Sequence, residues 1–94
     1  MESTDWSFLG LVRRANALVS GAKLMEKLTQ HEVYLVLLNP AASERSKKHI
    51  RSRCEYYHVP LREDIDEQTI QSINDQFVAA VGITHQQMAK RLMK

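Results

Sequence analysis

A single cysteine, Cys54, leaves no intramolecular disulfide possible, which suits a reducing compartment. Three glycines are too few for a Rossmann fingerprint, and there is no Walker-type phosphate loop. No stretch approaches the roughly 20 apolar residues that a membrane span needs. Residues 1–5 are acidic rather than basic and precede no long apolar run, so no signal peptide is expected and a cytoplasmic protein is. The four histidines show no metal-ligand spacing with one another or with Cys54, so no metal or cofactor is expected.

What is present is ordinary in kind and uneven in placement. An apolar fraction of 44% and a charged fraction of 26% describe a globular chain, and 94 residues predict one small domain over 1–94 with a modest core. Formal net charge is only +2, yet residues 11–53 hold nine Lys/Arg against three acids, whereas residues 63–94 hold five acids against three bases. Such asymmetry predicts one basic face and favours a polyanionic partner.

The rest of the chain is organised around residues 20–27. Ser20 is a candidate N-cap whose hydroxyl would accept from a first-turn N–H. Gly21 permits a sharp bend or a close approach. Leu24 and Leu28 recur as a core-facing stripe, and Lys23 and Lys27 share one helix edge. Two like charges there repel each other by about 0.2–0.5 kcal/mol and stand near a helix end that is already positive. Glu26 offsets part of this, and a bound anion would offset more. The spacing alone leaves two readings open: a phosphate contact, or an ordinary solvated edge.

In chain order, Thr4 or Ser3 is read as the cap of a first helix with Arg13 and Arg14 near its C-terminal end, closed by Asn16-Ala17. Leu18-Val19 is a very short strand. The second helix runs from Gly21 to about Gln30 or His31. Residues 33–38 form an apolar run that reads as a strand buried on both faces. Ser43 caps a third helix with Ile50, Cys54 and Tyr57 inward and Arg45, Lys47, Lys48, Arg51 and Arg53 outward. Residues 57–61 read as an edge strand because Pro60 cannot donate to a ladder. Residues 63–67 are an acidic connector, Asp66 caps a short fourth helix, and Asn74-Asp75-Gln76 is a turn. Phe77 to Ile83 is a second buried strand, and Thr84 caps a final helix with Met88 and Leu92 inward. The alternation α-β-α-β-α-β-α-β-α predicts a sheet covered by helices on both faces.

Catalysis finds little support. Cys54 falls on the apolar stripe of its helix and reads as a packed thiol, and a nucleophile would need a base and an exposed, electropositive setting. The carboxylates of residues 63–67 look like a solvated connector. The bases of the third helix are not interleaved with acids from Arg45 to Arg53, which favours a nucleic-acid contact.

Several segments together resemble a family. Leu9-Gly10-Leu11-Val12-Arg13-Arg14-Ala15, then Leu18-Val19-Ser20-Gly21, is similar to the opening of the YlxQ type of small bacterial ribosomal-protein-like proteins. Leu35 to Leu38, Lys47-Lys48, and above all Cys54-Glu55-Tyr56-Tyr57-His58-Val59-Pro60 match it too. The likeness covers residues 6–94 and links the chain to ribosomal proteins that bind kink-turn RNA, the large-subunit seven-Ae and thirty-e group. It implies an α/β fold: a three-layer α/β/α sandwich with a mixed four-stranded sheet. It also implies an RNA site at the serine-glycine turn, the start of the second helix and the loop before the last strand: Gly21, Lys23, Leu24, Lys27 and Asn74, Asp75, Gln76, Phe77 and Val78. Arg13, Arg14 and Lys47 are further candidates from the basic face. Archaeal kink-turn binders carry glycine-x-asparagine-glutamate-x-x-lysine at the turn. This chain has the glycine and the final lysine, with Lys23 and Leu24 between, and Lys23 suits phosphate.

The function expected is non-catalytic binding of structured RNA, kink-turn-like or ribosomal, mainly through phosphates at a helix N-terminus. The partners are structured RNA and possible ribosomal proteins, with no membrane and a monomer favoured. The alternative is a protein-interaction module of the ribosome or another ribonucleoprotein, with Leu24 and Met25 suited to a partner. A third class, a small enzyme using Cys54, requires an exposed thiol of low pKa.

Overall fold

The computed structural model describes residues 6–74 and 76–93. A 3-10 turn at Trp6–Phe8 leads into α1 (Leu9–Arg14), β1 (Leu18–Ser20) and α2 (Gly21–Thr29). These are followed by β2 (Leu35–Leu38), α3 (Glu44–Tyr56), β3 (Leu61–Arg62), α4 (Glu67–Ser72), β4 (Ala80–Ile83) and α5 (Gln86–Leu92). The four strands lie in the order β1-β4-β2-β3. β4 runs antiparallel to both neighbours, and β2 runs parallel to β3 through the α3 crossover.

Every residue of β2 is buried, as the apolar run predicts, because its side chains alternate between two cores. Leu35 and Leu37 join Leu9, Val12, Ile70, Val81 and Leu92 on the face covered by α1, α4 and α5. Val36 and Leu38 join Val19, Leu24, Leu28, Ile50 and Cys54 on the face covered by α2 and α3. The result is the expected three-layer sandwich around a mixed sheet.

The few glycines are spared at the helix ends. α1, α2 and α3 each close with a left-handed residue that is not glycine: Asn16 (φ 58°), His31 (φ 59°) and His58 (φ 57°). Each is followed by the same pair of return bonds, such as His58 N–H to Glu55 O at 3.2 Å and Val59 N–H to Cys54 O at 2.8 Å, the Schellman closure. Gly82 stands where α2 presses on the sheet: a Cβ there would lie 2.4 Å from Leu24 Cδ1.

Several boundaries differ from those expected. The strand expected at 57–61 is shorter and later: Tyr57 and His58 finish the α3 closure, and only Leu61–Arg62 pair with β2, at the sheet edge that Pro60 foretells. The last strand starts at Ala80: the Asn39 N–H to Ala79 O bond closes its ladder with β2, and beyond it Val78 O is taken by the Asn39 side chain. Its cap role falls to His85, whose Nδ1 accepts from Met88 N–H at 3.4 Å, and not to Thr84, whose N–H is bound to Ala17 O. Ser20 stands at the N-cap position of α2 in extended conformation, but its side chain makes no cap bond. Thr4 and Ser3 lie outside the described residues. No helix among those described is long and apolar enough to cross a membrane.

Candidate nucleic-acid interface

The sheet topology brings separate segments of the chain to one end of the molecule. Ser20 at the end of β1 pairs with Val81, and Leu38 at the end of β2 pairs with Ala80. The start of α2, the turn into α3 and the approach to β4 therefore meet there. An open groove of about 510 Å³ lies between them, lined by Gly21 and Leu24 from α2, Arg45 and His49 from α3, and Phe77 and Val78 from the loop before β4.

Local chemistry fixes each wall. Gly21 has φ +60° with no atom within 4 Å of a would-be Cβ, so the backbone conformation, not space, calls for glycine. Because Ser20 caps nothing, the first-turn N–H groups of α2 have no side-chain acceptor from it, the arrangement in which a helix start can receive an anion. Ser43 does cap α3, accepting from Ser46 N–H at 3.1 Å, and so holds Arg45 at the groove. Asn39 is fully buried and clamps the third wall. Its Nδ2 donates to Val78 O at 2.9 Å, its backbone N–H to Ala79 O at 2.8 Å, and its Oδ1 accepts from Ala41 N–H.

A second groove, of about 560 Å³, follows the other edge of α2, where Lys23 and Lys27 join Arg13 from α1. The shared edge read from the spacing is real, and it faces the α1–β1 corner. Lys27 is partly engaged by Glu32 at 3.3 Å.

The other candidate residues scatter. Leu24 is only 2% exposed, so it floors the groove and packs in the core. Asn74 spends its side-chain amide on Ile70 O at 2.8 Å, closing α4, while Gln76 is exposed beside the loop without lining the groove. Asp75 lies outside the described residues. Lys47 pairs with Glu44 at 3.6 Å and lines neither groove, and Arg14 faces Ser72 and Ile73 at another surface. Sequence reasoning missed Arg45 and His49 as groove residues. Their spacing of four on a helix whose inward stripe is Ile50 and Cys54 was the available signal.

Cys54 is buried, and burial pushes its thiol up to about 11, which removes the exposed, low-pKa thiol that a cysteine enzyme would need. Among the described residues no group of three or more His, Cys, Asp and Glu could hold a metal ion.

No protein-family model matches the chain. RNA-binding protein YlxQ of Bacillus subtilis (strain 168) is 32% identical over 97 aligned positions, which cover 99% of this chain and 96% of the relative. The chain belongs to the YlxQ family. A solved structure of a Bacillus halodurans protein of unknown function superposes on this YlxQ-family chain with a TM-score of 0.85, covering 97% of it and 95% of the other chain. At 24% identity that likeness speaks for the fold alone.

Proposed function

We propose that this YlxQ-family chain works as one non-catalytic, cytoplasmic RNA-binding domain. It takes structured, kink-turn-like or ribosomal RNA mainly through phosphates at the start of α2. The observation that carries the reading is the convergence at one end of the sheet: the glycine turn, a helix start without a side-chain cap, the clamped loop of Phe77 and Val78, and Arg45, which has no ion-pair partner among the described residues. The name of the Bacillus subtilis relative supports the same partner class. Lys23 is exposed and has no ion-pair partner among the described residues, so it can meet a phosphate without first breaking a contact. Phosphate contacts hold an RNA in register, while the glycine turn and loop would sense its shape.

Titration of labelled kink-turn RNA and a plain duplex of equal length, at low and high salt, tests this. Kinked RNA should bind more tightly and saturably, and Lys23→Ala and Lys27→Ala should each weaken all binding and shallow the salt slope by about one. An unchanged slope would remove the lysines from the site. Salt-insensitive association with ribosomal proteins and none with RNA would replace the reading with a protein-interaction module.

A further inference from the structure

We propose that the groove between α2 and α3 is a track for a single RNA strand, with Arg45, His49 and Arg53 following its phosphates and Tyr56 stacking a base at the far end. This rests on the RNA-binding reading above and names a second contact for it. The groove does not stop at Gly21 and Phe77. It continues past Met25 and His49, which line both parts, into a cleft of about 150 Å³ bounded by Thr29, Arg53 and Tyr57.

Three features fit a strand. Arg45, His49 and Arg53 recur every four residues on α3, a rise of about 6 Å per step, close to the separation of successive phosphates in an extended single strand. No acidic side chain among the described residues lines either part of the groove. Elsewhere on α3, Lys47 is committed to Glu44 and Arg51 to Glu63, and Lys48 lines neither part of the groove; Arg45 and Arg53, which do line it, have no ion-pair partner among the described residues. The cleft ends in an edge-on cluster in which Tyr57 meets His31 (5.7 Å between ring centroids) and Tyr56 (4.8 Å). Tyr56 does not line the cleft itself but stands next to it, 73% exposed and in edge-type contact with Tyr57, which does. A cationic groove ending on an exposed aromatic face is the recognition chemistry of single strands, tolerant of sequence because every base has a π-face.

The test compares the full chain binding a structured RNA with and without a short single-stranded tail, and binding the tail oligonucleotide alone. The tail should tighten binding about tenfold. Arg53→Gln and Tyr56→Ala should each abolish most of that gain and leave binding of the blunt RNA unchanged, while Tyr56→Phe keeps it because the ring remains. Both positions are exposed, and matching urea midpoints would show that the variants fold. A tail that adds nothing, or a gain that survives both substitutions, overturns the track and leaves the structured-RNA reading standing. Binding of the oligonucleotide, sensitive to Arg53 and Tyr56, with no affinity for the blunt RNA would uphold the track and overturn the other reading. Absence of binding to every RNA overturns both.

Discussion

A methyl group at Gly82 would stand 2.4 Å from Leu24 Cδ1, 3.1 Å from Val33 Cγ1 and 3.4 Å from Val19 Cγ2. All three side chains are buried, so none can swing into solvent to make room. Gly82→Ala is therefore expected to destabilise the fold by about 1–3 kcal/mol, the usual cost of overpacking, read as a lower midpoint of urea unfolding with an unchanged slope. An unshifted midpoint would mean that α2 can lift from the sheet. The same packing sets what Leu24 can offer: it floors the groove while its side chain belongs to the core. Its spacing to Leu28 marks it as inward and the family pattern places it at the site, and at 2% exposure it is a core residue that also forms the groove floor. Cys54 was legible because its position on the stripe of Ile50 and Tyr57 already implied burial, and burial alone raises its pKa.

The two helices that wall the groove begin differently. α3 is capped by Ser43, whose hydroxyl accepts from Ser46 N–H at 3.1 Å, whereas the hydroxyl of Ser20 accepts nothing from α2. Ser43→Ala should cost about 1 kcal/mol of stability, and Ser20→Ala should change it by less than about 0.5 kcal/mol, both measured by urea unfolding. Equal losses at the two positions would show that α2 is capped in solution after all. From sequence the two serines look alike, since each directly precedes a helical pattern, and only the folded geometry separates them. Whole elements were easier to read: the apolar run of β2 and the stripe of α3 follow from local patterning, and the edge position from the missing donor of Pro60. Strand ends were harder, because they depend on bonds from distant residues. β4 starts late where the side chain of Asn39, about forty positions away, takes the carbonyl of Val78 just beyond the last ladder bond. The groove pairing of α2 with Arg45 and His49 is likewise a product of sheet order, which no local pattern encodes.

Across the whole molecule, charge is sorted by partnership. Around the β3 edge the cations are tied. Arg51 on α3 meets Glu63 at 2.5 Å, and Arg62 pairs with Asp64, donates to Leu92 O at 2.5 Å and lies 4.9 Å above the Trp6 ring. Within the stretch expected to be a merely solvated acidic connector, Glu63 thus ties to α3 and Asp64 holds Arg62, the β3 residue that reaches α5. Hydrogen bonds from Arg51 and Arg62 hold the Glu63 and Asp64 carboxyls below their ordinary values of 4.5 and 3.8. A carboxyl with a lowered folded pKa gives stability that is present above the unfolded value and is lost as pH falls through the folded one. Stability should thus decline as pH drops below 4.5, and further below 3.8, with the β3 edge loosening first. Replacing both acids, Glu63→Gln with Asp64→Asn, should lower the urea midpoint at neutral pH and leave a shallower acid decline, so that the two proteins converge in strong acid. Added salt should narrow their neutral-pH difference, since both pairs are largely exposed. Parallel acid profiles would place the acid-sensitive groups elsewhere. Arg45 and Arg53, with no acid to pair with among the described residues, gain nothing from this edge, and acid that weakens β3 removes no carboxylate from the groove. Tethered cations at one edge and cations without acidic partners among the described residues along α3 go with one asymmetry in the chain, which sets nine bases against three acids in residues 11–53 and five acids against three bases in residues 63–94.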